Sequence, residues 1–151
     1  MNFIKSITIL IMSIFYIGIG IAHFIFPERF LIIMPPFLPF PIFLIYLSGF
    51  LEILLGCTLL IKRFRVYAGI GLIFLLLLVF PANIYLYVDD EARKLYGEIS
   101  QQQAFIRLFF QIPLLVIAYW HSQAISPKWV SYTCVGVFIP TVFYFISILF
   151  Y

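Results

Sequence analysis

Charge is scarce in this chain. Only 10% of its 151 residues are Asp, Glu, Lys or Arg, where a soluble globular domain carries about 25%. A hydrophobic fraction of 65% completes the exclusion of a soluble fold. Disorder is excluded too, since it needs few aromatics and many charges, and 21% of residues here are aromatic. Cysteine is nearly missing. Cys57 and Cys134 lie inside apolar runs, and neither belongs to a C-x-x-C. The chain therefore has no close dithiol to cycle through a disulfide. That argues against chemistry of the disulfide-generating or vitamin K epoxide reductase type, and both thiols read as inert apolar fillers. Of the two histidines, His23 and His121 are expected on opposite membrane sides with no cysteine beside either. They cannot close a zinc shell, so no metal is expected, and His121 reads as an interfacial loop residue. Glycine-rich phosphate loops and nucleophile–base motifs are missing, as are internal repeats. Positive charge clusters only at Lys62-Arg63-Phe64-Arg65, between two apolar runs. A net charge of +3 without a basic face gives no footprint for nucleic acid. The cluster reads instead as a topology signal on a cytoplasmic loop.

What the chain does have is apolar length. A bilayer span takes ~20 apolar residues, and five runs qualify: residues 3–26, 42–61, 66–88, 104–120 and 129–151. The expected fold is all-α, a polytopic transmembrane helix bundle forming one domain over residues 1–151. The first run loosely imitates a signal peptide, with Gly20-Ile21-Ala22 as a cleavage-like triplet. Its apolar core is longer than a signal core, and more spans follow, so it reads as a retained helix. Residues 27–41 combine Pro27, Pro35, Pro36, Pro39 and Pro41 with Phe30, Met34, Phe37 and Phe40. Prolines forbid a regular helix, yet the stretch is too apolar for a solvated loop. Irregular backbone at membrane depth must be shielded by protein or line a cavity. The segment is therefore expected to cap the bundle mouth, with Pro35, Pro36 and Pro39 as its structural prolines. Residues 89–103 are the polar loop, and residues 121–128 a polar turn. Lys5, Lys62, Arg63, Arg65 and Lys128 fall on one side. On the other, Arg29, Arg93 and Lys94 are diluted by five acidic residues. The N-terminus is thus expected inside, the C-terminus outside and the cap in the outer leaflet.

Charge inside a membrane is costly, at least ~2.5–3.5 kcal/mol per group on insertion scales, and is normally turned inward. Ser13, Tyr16, Gly20, His23 and Pro27 form one small or polar stripe along the first run. Ser48, Gly49, Glu52 and Gly56 form a matching stripe on the second, and Arg107 and Gln111 are one turn apart on the fourth. Pro81 frees the Leu77 carbonyl near Asn83. Under the inferred topology His23, Ser48, Glu52, Asn83, Arg107 and Gln111 reach similar depths. They are the candidate ligand-binding residues of a polar pocket, with Glu52 expected within reach of Arg107, Gln111 or His23. A buried ion pair that only fixes helix register, and small-residue stripes that only pack helices, are the structural alternatives.

Three stretches together resemble the DoxX-like family of small bacterial membrane proteins. They are Gly18-Ile-Gly-Ile-Ala-His23-Phe-Ile-Phe-Pro27-Glu-Arg-Phe30, Met34-Pro-Pro-Phe-Leu-Pro39 and Leu47-Ser-Gly-Phe-Leu-Glu52-Ile-Leu-Leu-Gly56. Phe80-Pro-Ala-Asn83-Ile and Arg107-Leu-Phe-Phe-Gln111 look like the family's later landmarks. The likeness covers roughly residues 1–123. It implies a four-helix core, a bacterial cytoplasmic membrane, and His23, Glu52, Asn83, Arg107 and Gln111 at landmark positions. The fifth run departs from the common four-span pattern. The family name comes from a membrane subunit associated with thiosulfate:quinone oxidoreductase, and the resemblance extends to a eukaryotic assembly chaperone of nicotinic receptors. Two expectations follow, with a small transporter as a third. The first is a redox-associated membrane subunit that binds a quinone or another amphipathic small molecule, its electrons coming from a partner protein. The second is a non-catalytic assembly factor.

Overall fold

The computed structural model describes residues 3–149. Seven helices run in order: α1 (Phe3–Ile25), α2 (Pro27–Ile32), α3 (Pro41–Leu60), α4 (Arg65–Val88), α5 (Asp90–Gly97), α6 (Gln101–Ser122) and α7 (Lys128–Leu149). Helices α1, α3, α4 and α6 are long and apolar enough to cross a membrane, at ~1.5 Å of rise per residue. The chain has the architecture of a multi-pass membrane protein. The fifth run also forms a long helix; Phe150 and Tyr151, its last two residues, lie outside the described residues.

Small residues decide how the spans approach. A Cβ added at Gly20 would fall 2.6 Å from the Gly49 carbonyl oxygen, and one at Gly49 would fall 2.6 Å from the His23 Cβ. The backbones of α1 and α3 thus meet directly, the packing that glycines allow between membrane helices. Helices α4 and α6 use Gly69 in the same way against Ser122 and the Ala118 carbonyl. Around these crossings Ile9, Met12, Leu59, Leu72, Leu114 and Ile117 form a continuous core, joined by Phe138 of α7.

Four expectations need correction. The proline-rich stretch does contain a helix: α2 begins at Pro27, which sits at the first helical position. There its fixed φ suits the helix and its missing N–H costs nothing. The remaining prolines of the stretch start only at Pro35, beyond the end of α2. The polar stretch after α4 also carries a helix, α5. The Asp89 side chain caps it by accepting from the Ala92 N–H at 2.7 Å. Buried Arg93 turns back to the carbonyls of Leu86 and Tyr87 and pairs with Asp90, a basic group closing the C-terminus of α4. Helix α6 starts at Gln101, three residues before the expected boundary. Ser100 and Gln103 form a capping box there, each side chain bonding the other's backbone N–H. Finally, His121 is no loop residue. It lies in the last turn of α6 and is 1% exposed. Its Nε2 is 3.1 Å from the Thr8 hydroxyl, which donates to the Lys5 carbonyl. Since that proton is used, His121 Nε2–H is the donor. Lys5, also buried, donates to the Gln123 carbonyl at 2.7 Å and lies over the Trp120 ring. The start of α1 is thereby clasped to the end of α6.

Candidate functional site

At the other end of the bundle, α1, α3, α4 and α6 enclose a cavity of about 340 Å³. Its walls are mostly leucine, isoleucine, valine and phenylalanine. His23, Ser48, Glu52, Asn83, Arg107 and Gln111 all line it. The structure thus brings the six sequence-selected residues to one space. It sorts them into two separate groups, and the expected contact between Glu52 and Arg107 is not made.

The first group joins α1 to α3. His23 Nδ1 lies 2.9 Å from the Ile19 carbonyl, which can only accept, so that nitrogen carries a proton. Glu52 Oε2 stands 3.3 Å from the same nitrogen but takes no hydrogen bond from it. The proximity is electrostatic, inside a site where the Glu52 side chain is only 12% exposed. Ser48 spends its hydroxyl on the Ile45 carbonyl of its own helix.

The second group joins α4 to α6. Asn83 Nδ2 donates to Gln111 Oε1 at 2.7 Å, and Arg107 Nε donates to Asn83 Oδ1 at 3.0 Å. Gln111 Nε2 donates to the Leu76 carbonyl at 2.5 Å. Pro81 was expected to free the Leu77 carbonyl. Its ring also crowds the preceding turn, and the carbonyl that turns toward α6 is one residue earlier. Arg107 in addition bonds the Tyr96 hydroxyl and lies 4.9 Å from that ring's centroid. Arg107 is therefore held by an amide, a phenol and a ring face. Among the described residues no ion pair joins Glu52 to Arg107; the pairs are His23–Glu52 and Asp90–Arg93.

The cap contributes Phe30, Ile33, Met34 and Leu38 to the cavity wall. Phe30 stacks on the His23 ring at 3.6 Å between centroids. Ile33 and Pro35 are buried, and Ile33 packs with Leu86, Ala92 and Ala104, so α5 and the ends of α4 and α6 brace the cap. The other cap groups turn outward: Pro36, Pro39, Phe37 and Phe40 are exposed. Only half of the segment covers the mouth. Phe145 of α7 completes the wall and packs edge-on against Phe15. Leu47 and Leu78 line the cavity yet remain exposed on the bundle surface, so the space reaches the exterior between α3 and α4.

Sequence reasoning missed two participants. Tyr96 lies on α5, within a stretch whose polarity suggests a loop, and no local pattern links it to Arg107. Tyr16 stands on the first polar stripe, but one tyrosine among apolar residues reads as an ordinary packing group.

A family model described as a domain of unknown function (DUF8561) matches residues 12–122, and the chain belongs to that family. The matched region runs from the first span through α6 and so includes all six candidate residues. No curated protein and no solved structure matches the chain.

Proposed function

We propose that this protein binds an amphipathic small molecule taken from the bilayer, with quinone-like rings as the expected class, and acts as a membrane subunit beside a redox partner. The observation that carries this proposal is the cavity itself. At about 340 Å³ it falls within the ~300–1,000 Å³ typical of ligand sites, which are mostly apolar with a few placed polar groups. Access between Leu47 and Leu78 suits a ligand that arrives from lipid and leaves a tail there. The sequence offers no redox motif of its own, so in this reading electrons pass to or from the partner. In this reading the lysine and arginine distribution puts the N-terminus on the inner side of a bacterial cytoplasmic membrane and the cap toward the outer leaflet.

One observation favours the assembly-factor alternative. Asn83, Arg107, Gln111 and Leu76 satisfy one another, as a structural strut would. Native mass spectrometry of the detergent-purified protein separates the two. The wild type is expected to release a bound small molecule when unfolded. Val79→Trp, which fills the cavity from its α4 wall, is expected to lose at least about tenfold of that occupancy with an unchanged melting temperature. Equal occupancy in both proteins, or co-purification of another membrane protein's folding intermediate, would favour the assembly factor.

A further inference from the structure

Buried polar atoms are nearly always hydrogen-bonded, and leaving one unmade is costly. Ser13 Oγ, Tyr16 OH and Glu52 Oε2 are buried and have no hydrogen-bond partner among the described residues. All three lie on the α1–α3 seam. Ser13 and Tyr16 share one face of α1 at a spacing of three, and α3 presents Glu52. Tyr16 is 5% exposed. Tyr16 and Glu52 line the cavity; Ser13 does not.

Each of the other polar side chains of the cavity makes at least one hydrogen bond. Asn83 and Gln111 bond each other, Arg107 bonds Asn83 and Tyr96, Ser48 bonds its own helix and His23 Nδ1 bonds Ile19. Among the buried side-chain atoms of the described residues that line the cavity, the unmade bonds are therefore those of the Tyr16 hydroxyl and of one Glu52 carboxyl oxygen. A ketone oxygen can accept from Tyr16 but has no proton to give a carboxyl oxygen. An ammonium would share an apolar cavity with the Arg107 guanidinium. A hydroxyl can do both, accepting from a phenol and donating to a carboxyl oxygen.

We propose that the seam of Tyr16 and Glu52 recognises a hydroxyl head group on an apolar body, a long-chain phenol or alcohol; among quinone-like rings this is the reduced, hydroxyl-bearing form. The proposal rests on the ligand-binding function above and names the chemistry of the head group. Phe30, stacked on His23, roofs the same corner, and the apolar body extends toward Leu47 and Leu78.

The test uses para-decylphenol and its methyl ether, which share one apolar body. Binding of each to the detergent-purified full chain is titrated by native mass spectrometry. The wild type is expected to bind the phenol at least about tenfold more tightly than the ether. Tyr16→Phe removes an oxygen with no protein partner, so the fold is expected to stay intact while the preference falls to about threefold or less. Ser13→Ala removes the unpartnered hydroxyl that does not line the cavity, and it is expected to keep the full preference. Equal binding of both probes, blocked in both cases by Val79→Trp, overturns the hydroxyl assignment and leaves the ligand cavity standing; ordered water would then serve these atoms. A preference that survives Tyr16→Phe overturns the role of Tyr16. Failure of both probes to bind overturns the ligand-binding function and the head-group assignment with it.

Discussion

Gly18 and Gly20 stand two residues apart on α1 in opposite surroundings. A Cβ at Gly18 would meet nothing within 4 Å, whereas one at Gly20 would meet both the Gly49 carbonyl and the Ile53 side chain at under 3 Å. Alanine is the better helix former by about 0.5–1 kcal/mol, so Gly18→Ala is expected to raise stability by that amount. Gly20→Ala is expected to lower it by about 1–3 kcal/mol through overpacking. Unfolding in one detergent measures both, and shifts of the same sign would refute the direct backbone contact of α1 and α3. At this scale the sequence was most legible where placement is expensive. His23, Glu52 and Arg107 stand out because charge or potential charge in an apolar run must turn inward. Their pairing was not legible. Charge alone suggests Glu52 with Arg107, but the guanidinium is taken by Asn83 and Tyr96, and Tyr96 comes from a helix hidden in a polar stretch. Tyr16 was on the stripe from the start; its unmade hydrogen bond is visible only once every neighbour is placed.

Among the elements, the cap is the one richest in proline, helical only over α2, and the structure divides it. Phe30, Ile33 and Pro35 face the bundle or are buried in it, while Phe37 and Phe40 point away. Burying Ile33 is worth roughly 1.5–3 kcal/mol, and half-buried Phe30 adds part of the same, which helps hold a segment with few backbone hydrogen bonds. Single cysteines at positions 33 and 37, in a background with Cys57 and Cys134 replaced, test this division. A water-soluble thiol reagent is expected to label position 37 at least about tenfold faster than position 33, as protection of a packed site requires. Equal fast labelling would mean that the segment does not rest on the bundle. Two helix boundaries carry a related lesson. The Ser100–Gln103 box is a start signal readable in the sequence, and it moves α6 to Gln101. The end of α6 was hidden because His121 and Ser122 look like turn residues until Thr8 and Gly69 are set against them.

At the scale of the whole molecule, the helical class and four of the spans follow from apolar length alone, because no soluble arrangement can cover that much hydrocarbon. Orientation depends on the lysines and arginines. Reporter fusions after Lys62 and after Tyr151 are expected to lie on opposite sides, the first inside. The same side for both would mean that α7 packs on the bundle without crossing. Helix α7 meets the others through Phe138 and Phe145, so either outcome also locates the cavity's last wall. The clasp of Lys5 on Gln123 has a consequence for biogenesis. The two residues are 118 positions apart, and at ~5–20 residues per second a ribosome needs ~6–24 s to make the intervening chain. Until then the first helix sits in the membrane with its lysine and Thr8 lacking their final partners. The last turn of α6 is thus a late latch on the earliest helix, and a nascent chain halted before Gln123 keeps the lysine of α1 in search of an acceptor.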